Sequence, residues 1–148
     1  MSQPSLFGEP GGGSAIANID GGSRGNPGPA GYGVHIKRDD GTVVELKEAV
    51  GDATNNVAEY RGLLAALGWA AHNGIETLHI KSDSDLLVKQ MRGEYRVKNP
   101  GLQTLWEQAR GLAKQIRRVQ FEHVRRELNT EADRLANEAM DEAAASRG

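Results

Sequence analysis

Cysteine is absent from the 148 residues. That absence excludes a disulfide framework, a thiolate metal site and a cysteine nucleophile, and it fits a reducing compartment. No stretch approaches the roughly 20 consecutive apolar residues that a membrane-spanning helix needs. Met1 to Gly13 has neither a basic region nor an apolar run, so it does not read as a secretory signal. These absences predict a soluble, cytoplasmic protein with no membrane partner. A strong net charge of one sign is also missing, since the total is −2. The charges are nevertheless unevenly placed. Residues 81–126 hold 11 Lys and Arg against 5 Asp and Glu, while the rest of the chain is acidic. Such asymmetry suits either a basic nucleic-acid footprint or the solvated faces of amphipathic helices.

What is present is one domain's worth of alternating patterns. Residues 1–13 are rich in Gly, Pro and Ser and are expected to be a flexible tail. Residues 14–142 are expected to form the folded domain, and 143–148 a C-terminal tail. Ala15 to Asp20 reads as a strand ended by Gly21-Gly22. A turn-rich segment follows, Ser23 to Gly31. Gly31 to Arg38 reads as a second strand, Asp39-Asp40-Gly41 as a hairpin turn, and Thr42 to Val50 as a third strand. The period then changes. Val57, Tyr60, Leu64, Leu67 and Ala71 recur at helical spacing, with Leu63 widening the stripe, and predict a helix over 56–72 closed by Asn73-Gly74. Thr77 to Ser82 is a strand, Asp85 to Met91 a short helix, Pro100 to Ile116 a longer one and Val119 to Val124 a fifth strand. Asn129 is placed to cap a last helix with Ala132, Leu135, Ala136 and Ala139 facing inward. The order βββαβααβα predicts an α/β fold: a mixed five-stranded sheet flanked by helices.

Four acids fall near element ends: Asp20, Glu59, Asp83 and Asp133. If strand 4 lies parallel beside strand 1, Asp20 and Asp83 emerge at the same sheet end, where open α/β sheets build their sites. Singly, each has an ordinary explanation as a turn residue, a helix cap or a partner of a helix dipole. Gathered together, four like charges repel one another, and divalent cations relieve that repulsion. Oxygen ligands of this kind suit Mg²⁺, and two such ions can clamp a phosphodiester during in-line displacement. The histidines His35, His72 and His79 are scattered and lack metal-ligand spacing. Trp69 and Trp106 sit in apolar helical stripes and read as core.

The run Asp20-Gly21-Gly22-Ser23-Arg24-Gly25-Asn26-Pro27-Gly28-Pro29-Ala30-Gly31 resembles the first signature of type 1 ribonuclease H. Thr54-Asn55-Asn56-Val57-Ala58-Glu59-Tyr60 resembles the second. Ser82-Asp83-Ser84 falls where that family has its third acid, and Asn129 to Ala136 resembles the segment carrying the fourth. The resemblance implies the ribonuclease H-like fold and hydrolysis of the RNA strand of RNA/DNA hybrids with two Mg²⁺ ions, for which Mn²⁺ substitutes. It implies that Asp20 bridges the ions, that Glu59 binds one and lies near the RNA 2′-hydroxyl, and that Asp83 and Asp133 complete one site each. It carries Gly21, Ser23, Asn26, Asn55 and Asn56 to the 2′-hydroxyls and minor groove, and Thr54 to a DNA phosphate. A monomer is expected.

Three departures from the pattern stand out. Arg92 to Lys98 is too short for the basic protrusion many members carry. The loop Arg125-Arg126-Glu127-Leu128 is short and lacks their histidine. Asp85 stands where several relatives have Gln. These features resemble a shorter subtype, some members of which also cut RNA/RNA duplexes. A binding module without turnover and another nuclease on the same fold, such as a junction resolvase or a 3′ exonuclease, are the competing readings.

Overall fold

The computed structural model describes residues 13–147. The expected tail over residues 1–12 lies outside the described residues. Five strands, β1 (Ser14–Ser23), β2 (Gly28–Arg38), β3 (Val43–Ala53), β4 (Thr77–Ser82) and β5 (Arg118–His123), form one sheet in the order β3-β2-β1-β4-β5. The first three strands pair antiparallel as a meander, and β4 and β5 join β1 in parallel. The mixed five-stranded sheet and the element order are those expected from the sequence.

The boundaries differ in ways that have physical reasons. The first strand does not stop at Gly21-Gly22. Gly21 pairs with Tyr32, Gly22 with Gly31 and Ser23 with Ala30, so the glycines continue the ladder. What ends near Asp20 is the parallel pairing with β4, whose last partners are Ile19 and Ser82. Gly13, counted with the tail, is already tied to the fold, since its carbonyl accepts from the Glu76 and Thr77 amides.

Helix α1 (Asn55–His72) starts one residue earlier than expected, because the Thr54 hydroxyl accepts from the Val57 amide and caps it. Glu59 therefore stands in the second turn of the helix. Helix α2 (Asp85–Met91) has the expected limits and is capped by Ser84. Helix α3 (Pro100–Ala113) ends before Ile116, although Ile116 still reaches the core. A 3₁₀ turn, Arg126–Leu128, leads into α4 (Thr130–Arg147). That last helix runs through 142 without a break and buries Ala143. The expected boundary at 142 thus falls inside a helix, since Ala and Glu here favour continued helix.

The layers follow from alternation along β1 and β2. Ala15, Ala17 and Ile19 of β1 and Tyr32, Val34 and Ile36 of β2 face α1, with Leu63, Ala66, Leu67 and Ala70 of α1 against them. Helix α1 is buried more widely than its single stripe implied, because α3 covers its outer flank through Leu102, Leu105 and Ala109. The alternate positions of β2 face the other way and carry α4. A Cβ on Gly31 would sit 2.5 Å from the Ala139 Cβ, and one on Gly33 would sit 2.5 Å from the Ala136 amide nitrogen. Small residues on both partners let strand and helix approach backbone to backbone. Trp69 and Trp106 pack against the core as expected, each with an arginine over its ring, Arg38 and Arg110 respectively.

Candidate active site

The parallel β1–β4 pair delivers Asp20 and Asp83 to one sheet end. Asp83 immediately follows the last residue of β4, where the strand gives way to the Ser84 cap of α2. Glu59 arrives from the α1 side. Its reach depends on Gly21, because a Cβ there would lie 2.5 Å from the Ala58 carbonyl carbon and 2.6 Å from the Glu59 amide nitrogen. Gly21, expected against substrate, also lines the cleft. The close approach that it permits here is between β1 and the helix that carries Glu59.

Asp133 arrives from α4, on the face to which Asp20 points. The start of α4 is fixed by Asn129, which is almost wholly buried. Its carbonyl accepts from the Asp133 amide at 3.0 Å, so it occupies the cap position expected of it. Its side chain has a different use. Nδ2 donates to the Ile19 carbonyl at 2.9 Å, and Oδ1 accepts from Asn18 Nδ2 at 2.9 Å. The residue thereby ties the helix that bears Asp133 to the strand that bears Asp20.

Carboxylate oxygens of Asp20, Glu59 and Asp83 lie within 4.8 Å of one another. Asp133 lines the same cleft as those three and lies close enough to Asp20 to raise its affinity for a proton. All four acids therefore meet, and they line one cleft of about 680 Å³. Burial, then the charge of Asp83, then Asp133 push the Asp20 carboxyl up to about 8, against the opposing Gly21 amide. Burial pushes Glu59 up to about 7, with the Ser84 hydroxyl opposing and Asp83 adding. Burial also raises Asp83, against Arg126, whose Nε lies 3.9 Å from its Oδ2. Carboxyls with this affinity for a proton have the same cause to hold a cation. The donor set is all oxygen, with no sulfur or imidazole among the three nearest, and it fits a hard divalent ion.

Of the residues predicted to read substrate, Gly21, Ser23, Asn55 and Asn56 line the cleft. Asn26 and Thr54 do not. Asn26 Oδ1 accepts from the Asn55 amide at 3.0 Å, and Asn55 Oδ1 accepts from the Ser23 amide at 2.9 Å. These side chains lace the β1–β2 connection to the N-terminus of α1, while Thr54 caps that helix. Asp85, noted as a departure, is outside the cleft lining. It pairs with Lys89 at 3.0 Å and lies 3.8 Å from His123 Nδ1.

Several lining residues were given no role from the sequence: Arg24, Ser84, His123, Arg125, Arg126 and Asn137. Adjacency to Asp83 and the basic run over 81–126 were the available signals for Ser84 and the two later arginines. His35 is not isolated as its spacing implied, since it joins Glu45 and Glu131 with ligand atoms within 4.8 Å. Arg134 already bridges those two carboxylates at 2.6 and 3.1 Å.

The chain is similar to proteins whose names bear on this site. A family model described as reverse transcriptase-like matches residues 18–139. The bifunctional protein Rv2228c of Mycobacterium tuberculosis is 53% identical over 133 residues, covering 88% of this chain but 36% of that protein. The chain thus spans about a third of the length of that relative. The solved N-terminal RNase H domain of Rv2228c superposes with a TM-score of 0.88 at 52% identity, over 91% of this chain and 99% of that one. Ribonuclease HI of Halobacterium salinarum is 44% identical, with 89% and 67% of the two chains covered. LC11-RNase H1, solved in complex with an RNA/DNA hybrid, superposes with a TM-score of 0.81 at 39% identity, over 88% and 99% of the chains. No described helix is long and apolar enough to cross a membrane. With its element order, its converged acids and its match over most of its length to these relatives, the chain belongs to the type 1 ribonuclease H family.

Proposed function

We propose that the protein is a metal-dependent endoribonuclease that hydrolyses the RNA strand of RNA/DNA hybrids, leaving 5′-phosphate and 3′-hydroxyl ends. The observation that carries this reading is the meeting of three carboxylates within 4.8 Å at a sheet end, with a fourth in the same cleft. The resident cofactor is a pair of Mg²⁺ ions, with Mn²⁺ able to replace them, held by Asp20, Glu59, Asp83 and Asp133. When bound, such ions activate water as a nucleophile and steady the leaving oxygen. Asp20 touches both Asp83 and Asp133 electrostatically, which suits it to a ligand shared between two sites. Glu59 borders Asn55 and Asn56 on the cleft wall, which suits it to the 2′-hydroxyl side. The side-chain amides of Asn55 and Asn56, which line the cleft beside Gly21 and Ser23, are of the group type that suits a 2′-hydroxyl, itself both donor and acceptor. The protein acts as a cytoplasmic monomer.

The test is cleavage of end-labelled RNA/DNA, RNA/RNA and DNA/DNA duplexes of one sequence, with Mg²⁺, Mn²⁺ or EDTA, beside Asp83→Asn. Metal-dependent cutting of the hybrid's RNA strand, lost in the variant, is the expected result. Additional cutting of RNA/RNA places the protein with the broader-specificity members. Failure of folded protein to cut any duplex with either metal overturns the enzyme reading in favour of a hybrid-binding module.

A further inference from the structure

We infer that Arg24 is a phosphate-binding residue for the substrate strand, held between turnovers by a latch to Asp141; the inference rests on the nuclease reading above. The reading above rests on the acids, and it leaves open how a domain with so short a segment at Arg92 to Lys98 holds a polyanion. The cleft answers part of that question. The four acids are flanked on one side by Arg24, from the β1–β2 connection, and on the other by Arg125 and Arg126, from the β5–α4 connection. A strand laid across the acids passes arginine on both sides of the scissile bond.

Arg24 stands on a rigid mount. Its amide donates to the Pro29 carbonyl at 2.8 Å. Its own carbonyl would lie 2.0 Å from a Cβ at Gly28, so only glycine closes this turn. The Ser23, Asn26 and Asn55 bonds then fasten the connection to α1.

The side chain, by contrast, is weakly engaged. Nη2 donates to Asp141 Oδ1 at 2.8 Å and lies 3.5 Å from the Asn137 carbonyl. Both partners of the ion pair are exposed, at 44% and 73%, and exposed pairs of this kind contribute little. No described residue meets Nε or Nη1. A guanidinium with a fixed backbone, a free edge and a cheaply broken ion pair is suited to exchange its carboxylate for a phosphate, which it binds bidentately.

The experiment measures hybrid cleavage by the full chain for wild type, Arg24→Ala, Arg24→Lys, Asp141→Asn and the double variant Arg24→Ala/Asp141→Asn. Hybrid affinity by fluorescence anisotropy, with Ca²⁺ in place of Mg²⁺, accompanies it. Arg24→Ala is expected to raise KM about tenfold, with the loss falling on KM rather than kcat. It should also lower the slope of log(kcat/KM) against log salt by about 1, as for one lost phosphate contact. Arg24→Lys should recover part of the affinity. Asp141→Asn should lower KM about twofold, because the competitor for Arg24 is removed, and that gain should vanish in the double variant. The inference is overturned if Arg24→Ala and Asp141→Asn weaken binding alike, which would make the pair a brace. It is overturned equally if Arg24→Ala leaves affinity and salt slope unchanged, or if the Asp141→Asn gain persists without Arg24. Wild type that cuts no hybrid refutes the nuclease reading separately, and the anisotropy series still decides the role of Arg24.

Discussion

Replacing Asp20 by Asn should make the metal-free protein more stable while abolishing its activity. The Asp20 carboxyl is pushed up to about 8 from 3.8. In the unfolded chain it ionises near its ordinary value, so between those two pH values the native state binds the extra proton. Stability therefore falls as pH rises through that window. Taken alone, a shift of four units is about 5 kcal/mol at pH 8, at roughly 1.4 kcal/mol per unit. Asp133 shares that load, and a net effect of about 2–3 kcal/mol is expected. Asn keeps an oxygen for the Gly21 amide and supplies an N–H for Asp133, so it removes the charge and leaves the contacts. For a chain of this length, the gain corresponds to about 6–9 °C in Tm. The assay is thermal unfolding by circular dichroism in EDTA at pH 5 and pH 8. Asn should lead at pH 8 and lead by less at pH 5, because the native Asp20 carboxyl takes up its proton as pH falls toward the unfolded value of 3.8. Saturating Mg²⁺ at pH 8 should raise the wild-type Tm and move the variant much less. A variant no more stable than wild type at pH 8, or a lead that does not grow with pH, would refute the argument that these acids are held together against their charge.

Gly21→Ala should destabilise the fold by about 1–3 kcal/mol by overpacking α1 against β1. It should also depress kcat, because Glu59 rides on the displaced backbone; denaturant melts and single-turnover cleavage check the two effects. Asn129→Ala should cost about 2–3 kcal/mol, since it strands the Ile19 carbonyl and the Asn18 amide, and it should lower the urea midpoint at constant m. Tyr60→Phe should cost about 1–2 kcal/mol through the buried Gln90 Oε1 that its hydroxyl meets at 2.6 Å, with cleavage retained. A loss of activity larger than the loss of stability would show that Tyr60 does more than brace α2.

Much of this fold was legible because apolar period reports burial. The shift from period two to period 3.6 after residue 53 separated the meander from α1, and Gly74 and Gly93 stand at positive φ just past the ends of α1 and α2. The four acids were legible as a set because each lies in a motif resembling the family's, although Asp20 proves to stand inside β1 and Glu59 in the second turn of α1. What the sequence hid was the distance between elements. Gly21 reads as a strand stop, yet it continues β1, and Gly21, Gly31 and Gly33 each lie under a helix that leaves no room for a Cβ, a closeness that the strand pattern does not announce. Asn129 looks like a cap, but its long-range bonds to β1 have no local signature. Arg24 and Arg126 lie far apart in sequence, and only the parallel β1–β4–β5 arrangement puts them across one cleft.

The tie between Asn129 and β1 makes α4 a lever with its fulcrum beside the acids. Asp133 lies four residues from that pivot, about 6 Å along the axis, while the far end lies about 27 Å away at 1.5 Å per residue. A tilt of 10° about the pivot would move Asp133 by roughly 1 Å and the far end by roughly 5 Å. A displacement imposed near Arg147 thus reaches Asp133 reduced about fivefold by this geometry.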